Sequence, residues 1–123
     1  MKVFSKKGIP ECLLPGRFMQ KVIGDTASGY ESESTILHVG YCRYCEEAGP
    51  MEPHVHSEEV VQILESDRAW VRFGPSKDNL NGKIELEKNM TLHIPSGEWH
   101  VFEYASGGSL EILFIYGAQV ALS

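Results

Sequence analysis

Strand signals recur along this chain at short intervals, turn residues separate them, and no segment holds a helical period beyond two turns. The runs 17–23, 35–42, 60–64, 69–73, 83–87, 90–94, 101–104 and 110–116 are rich in β-branched and aromatic residues or alternate apolar with polar. Between them fall most of the 12 glycines and 6 prolines. Glycine supplies backbone angles that tight turns need, and proline cannot donate to a strand ladder. Strands this short and this closely spaced bury their apolar faces only by stacking sheets or curling into a barrel. The pattern predicts an all-β fold, with 69–73 following 60–64 after a tight polar turn at Ser66 and Asp67, and 110–116 closing the barrel.

A chain of 123 residues fits one domain with one core. Residues 1–34 read as an irregular arm, with Gly8, Pro10, Pro15 and Gly16, followed by a first strand packing on the barrel. Residues 35–123 read as the barrel itself. The net charge of −6 argues against nucleic acid and against an anionic membrane surface. No apolar run approaches the length of a spanning helix. No long apolar stretch follows the basic residues near the N-terminus, so no signal peptide is expected and a cytoplasmic location is. The 3 cysteines are an odd number. Cys42 and Cys45 form a CxxC in a strand-like run without the companion ligands of a zinc site, so plain reduced thiols are expected.

Two segments carry chemistry. In His54-Val55-His56, alternation along a strand points both imidazoles the same way, so they can converge on one ion. Alone, this also describes two surface histidines beside a turn. In Pro95-Ser96-Gly97-Glu98-Trp99-His100, Pro95 stops a strand, Gly97 permits a sharp reversal, and His100 opens the next strand in a defined direction. Alone, this also describes an ordinary hairpin.

Taken together the two segments resemble the cupin superfamily. The His-x-His of its first motif is present as His54 and His56, and the Pro-x-Gly-x-x-His of its second as Pro95, Gly97 and His100. Ala48, Ser66 and Asn89 stand where the family pattern has glycine, and Tyr104 stands where it has asparagine. Leu14-Pro15-Gly16-Arg17 also looks like the arm of some small single-domain cupins. The resemblance implies an antiparallel jelly-roll β-barrel holding one divalent ion (Fe, Mn, Ni or Zn) on His54, His56, His100 and a glutamate. Counting back from the apolar strand selects Glu59. Strand parity from His56 selects Glu58, unless a bend at Ser57 restores Glu59. A three-histidine site is the third option.

Other residues weighed for the pocket are His93, Arg72 and Tyr104, with Glu58 if it is not a ligand. Arg68, Trp70 and Arg72 alternate on one strand face, for which a solvated edge is the preferred reading and a clamp for an anionic substrate the functional one. Tyr41, Tyr44 and Tyr116 offer further hydroxyls. For His38 a plain structural role is preferred. The implied function is a metal-dependent enzyme, of dioxygenase type or of isomerase, decarboxylase or lyase type, acting on a small oxygenated molecule. The alternative is a non-catalytic ligand-binding cupin. A homodimer is expected, because sheet edges need covering.

Overall fold

Two long strands, bent at a shared corner, organise the molecule. The computed structural model describes residues 1–117; positions 118–123, the end of the expected barrel domain, lie outside the described residues. The strands are β1 (Cys12–Leu14), β2 (Arg17–Gly24), β3 (Ser32–Glu33), β4 (Leu37–Cys45), β5 (Glu59–Gly74), β6 (Gly82–Glu85), β7 (Thr91–Ile94) and β8 (Trp99–Gly117). Their order is β1-β2-β4-β8-β5-β6, with β3 beside β2 and β7 beside β5. Every pairing is antiparallel except the short β2–β3 contact.

The runs expected as separate strands at 60–64 and 69–73 are one strand, β5. Ser66 and Asp67 do not form a tight turn; they stay in the ladder opposite Leu110 and Ser109. The register shifts between Ile63 and Glu65 and again between Asp67 and Ala69. Arg68 has a φ of 55° and Gly107, near it on β8, a φ of 77°. Both strands therefore bulge at one level, which bends the pair without breaking it. The runs 101–104 and 110–116 are joined in β8 for the same reason. On one arm of the bend the pair is flanked by β4 and β7, on the other by β6.

The run 110–116 does not close the structure at an edge. It lies mid-sheet between β4 and β5, and the hydrogen-bonded path stays open. The result is an all-β jelly roll.

Alternation along the strands builds the core. On β5, Val61 and Ile63 are fully buried; on β8, Leu110, Ile112 and Phe114 face them. On β4, Gly40 leaves room for Phe114, whose Cζ lies 2.6 Å from where a Cβ would stand. The N-terminal arm is pinned by Gln20, whose buried amide donates to the carbonyls of Lys6 (2.6 Å) and Ile9 (2.8 Å). All three cysteines are free thiols. Among the described residues no helix is long and apolar enough to cross a membrane.

Candidate metal centre

The Pro95–Gly97 reversal delivers His100 to the first residues of β8. Gly97 takes a φ of 86°, and the Glu98 amide donates to the Pro95 carbonyl at 3.2 Å. His100 then pairs with His54 through two backbone hydrogen bonds of 3.0 Å each. The Gly97 amide donates to the His56 carbonyl at 3.4 Å. The two histidine segments are thus stitched together by their backbones, and their side chains meet.

The three imidazoles of His54, His56 and His100 bring their ligand atoms within 4.8 Å of one another. In each ring Nδ1 faces a backbone carbonyl: Glu52 for His54 (3.3 Å), Ser57 for His56 (3.1 Å) and Glu98 for His100 (2.9 Å). A carbonyl only accepts, so Nδ1 carries the proton and donates. That leaves a lone pair on each Nε2, the form in which imidazole binds a metal. His100 Nε2 is buried and has no hydrogen-bond partner, and an unmet buried nitrogen is costly unless something fills the site. Burial, and then the neighbouring His100, push the pKa of His54 down to about 3. The ring is therefore neutral throughout the physiological range. These features fit a divalent ion, and the triad can hold one.

Glu59 opens β5 on the same face as Val61 and Ile63, and is buried. Its Oε1 lies 3.6 Å from His56 Nε2 and 3.5 Å from His100 Nε2. Glu58 points the other way. Its carboxylate meets His93 Nε2 at 2.6 Å on the exposed surface. Parity counted from His56 misleads because the chain bends at Ser57 and the strand begins only at Glu59.

His54, His56 and Glu59 border a cavity of about 190 Å³, while His100 borders the depression on the other side. Of Glu58, His93, Arg72 and Tyr104, none lines the cavity, whereas two of the tyrosines offered as hydroxyls, Tyr44 and Tyr116, do. Arg72 grips Glu103 in a fork, at 2.6 and 2.9 Å. This pair, with a hydrogen bond from Trp70, holds the Glu103 carboxyl below its usual range. Tyr104 borders a separate groove with Trp70 and Met51 and donates to the Gly49 carbonyl at 3.4 Å. His93 lies in a different depression, on the far side of His100.

The cavity wall consists instead of residues on the inner faces of β2, β4 and β8. Among them are Arg17, Cys42, Tyr44 and Tyr116. Alternation along β4 turns Gly40, Cys42 and Tyr44 to the same inner face; it singles out Tyr44 from Tyr41 and would have found Cys42. Burial raises the Cys42 thiol to about 12 and lifts the Tyr44 hydroxyl well above its ordinary value, so both stay protonated. His38 also lines the cavity, stacked on Tyr116 with centroids 4.7 Å apart. Tyr116 in turn lies 5.2 Å from His56. Arg17 had no local signal beyond the Pro15-Gly16 turn before it.

No family model matches the sequence, and no curated protein matches it. Solved structures do. The polyketide cyclase RemF from Streptomyces resistomycificus superposes with a TM-score of 0.71 at 22% identity, covering 100% of this chain and 87% of RemF. The DMSP lyase DddQ from Ruegeria pomeroyi gives 0.69 at 14%, over 95% of this chain and 60% of DddQ. Fe(II)-HppE gives 0.67 at 11%, over 94% of this chain and 60% of that one. This chain has the cupin fold. The identities are low enough that fold is what the likeness carries.

Proposed function

We propose that this cupin is a metal-dependent enzyme holding one divalent ion on His54, His56, His100 and Glu59, and acting on a small oxygenated organic molecule. The observation that carries this is the orientation of the triad. Every Nδ1 is committed to a carbonyl, every Nε2 is left for a ligand, and the Glu59 carboxylate stands 3.5–3.6 Å from two of them. That spacing is beyond a good hydrogen bond, so the four groups point at a common gap rather than at each other. The carboxylate would offset part of a divalent charge, and the cavity beside it gives a substrate access.

A bound ion supplies Lewis-acid polarisation or, if redox-active, one-electron chemistry. The chain's residues do the rest. They hold three imidazoles with each Nδ1 committed to a carbonyl, keep the inner wall apolar around Phe102, Ile112 and Phe114, and present protonated Tyr44 and Cys42. Metal-dependent work on small molecules accords with structural neighbours described as an Fe(II) protein, a lyase and a cyclase. Elemental analysis of the purified protein tests the reading. One equivalent of a divalent metal, lost in His100→Ala, supports it; no metal after loading refutes it.

A homodimer is also part of this proposal. Val60 and Ile115 are exposed cross-strand neighbours on the outer face of the sheet, and Val39 extends the row. A second copy would cover them. Sedimentation showing a monomer at micromolar concentration would exclude it.

A further inference from the structure

The chain has four arginines, and three are neutralised by carboxylates: Arg43 by Glu11, Arg68 by Asp67 and Arg72 by Glu103. The fourth, Arg17, lines the triad cavity. Among the described residues no carboxylate lies within ion-pair distance of it. Glu59, which shares the cavity, turns its Oε1 to His56 and His100 instead. In a chain of net charge −6, a lone guanidinium in an inner cavity is a departure from the rest of the molecule.

Its position is built. Arg17 closes the β1–β2 hairpin opposite Leu14, across a two-residue Pro15-Gly16 turn. Gly16 takes a φ of 85°, and a Cβ there would lie 2.7 Å from the Met51 Cα. The turn is thereby held against the segment that leads to His54. One guanidinium nitrogen donates to the Pro15 carbonyl at 2.9 Å, which fixes the head group and leaves further donors for a ligand. The charge reaches the inner wall, where it acts on Cys42, Tyr44 and His54. The Cys42 thiol and the Tyr44 hydroxyl, both raised by burial, supply no negative charge to offset it.

We infer that Arg17 is the substrate-recognition residue of this cavity, and that the substrate is a small organic carboxylate held between the guanidinium and the metal centre proposed above. A guanidinium presents parallel donors that match a planar carboxylate. A cavity of about 190 Å³ admits only a small acid. A carboxylate would also offset part of the positive charge that a divalent ion and Arg17 leave after Glu59 is counted.

The experiment titrates malonate into ¹⁵N-labelled, zinc-loaded protein. It follows the Arg17 Nε–Hε resonance and measures zinc content in every sample, with malonamide as the uncharged control. Malonate is expected to move that resonance and malonamide to leave it. Arg17→Gln is expected to keep its zinc and weaken malonate by about tenfold or more, as for loss of a charge-assisted hydrogen bond. Arg17→Lys should fall between, and Arg72→Gln should match wild type. The inference is overturned if zinc-loaded Arg17→Gln binds malonate like wild type. Equal binding of malonamide, or no binding of malonate to zinc-loaded wild type, overturns it as well. Failure of wild type to take up zinc removes the metal centre alone. The zinc-free titration then decides for Arg17, with movement of its resonance supporting the inference and a static resonance overturning it.

Discussion

Glu58 and Glu59 are neighbours in sequence, each with histidine company, and the two groupings could hardly differ more. Glu58 and His93 sit outside, 65–67% exposed, joined directly at 2.6 Å. Glu59, His56 and His100 sit inside, with Glu59 at 7% and His100 at 1% exposure, separated by 3.5–3.6 Å. The exposed pair satisfies itself and needs nothing more. The buried set is close without bonding, although burial makes an unmet polar atom far more costly than exposure does. Polar groups that are buried, oriented and left unpaired mark the place where a ligand completes the structure. The same contrast separates Arg72, gripped by Glu103 on the surface, from Arg17 in the cavity.

The largest effect that sharpens this contrast is on metal binding. His100→Ala, or His54→Ala with His56→Ala, is expected to abolish stoichiometric metal, whereas His93→Ala should retain it in full. Native mass spectrometry of metal-loaded samples reads the difference. Next come the two glutamates. Glu59→Gln should weaken metal affinity by at least about tenfold, the scale of losing a group that tunes a metal site, and Glu58→Gln should leave it unchanged. Competition against a chromophoric chelator measures both. Equal effects would erase the distinction between the two faces of β5; no effect of either would leave an all-histidine site.

A third difference is in pH. The pKa of His54 falls from 6.5 unfolded to about 3 folded, so between these values the unfolded chain binds more protons. Stability of the metal-free protein must then decline as pH drops from about 6.5 toward 3. Melting curves across that window should show the decline, and His54→Gln should flatten it. His93→Ala should leave the profile in place. The smallest effect is on the surface. Glu58→Gln should barely move the melting temperature at pH 7, because exposed ion pairs contribute little.

The readable parts of the sequence were those set by local chemistry. Pro95 and Gly97 dictate a reversal whatever surrounds them, so the direction of His100 could be anticipated. His54 and His56 pointed to a candidate metal site by residue type and by agreement with that second segment. The alternating apolar runs gave the all-β class. What could not be read depends on contacts distant in sequence. Ser66 and Asp67 look like a turn, yet they remain paired because β8 bulges alongside them. The bend at Ser57 resets strand parity, and only the structure shows that Glu59 then shares a face with Val61. Arg17 reaches the cavity because β2 lies next to β4 and its hairpin turn packs on Met51. Arg72, weighed as a substrate clamp, is spent on Glu103 across the strand pair.

The most direct test of the central claim is anomalous-difference density from a crystal of the metal-loaded protein, recorded at the absorption edge of the bound metal. One peak is predicted, within bonding distance of Nε2 of His54, His56 and His100 and of a Glu59 carboxylate oxygen. A peak on Nδ1 atoms, at the His93–Glu58 pair or at the cysteines, or no peak in protein loaded to saturation, would contradict it.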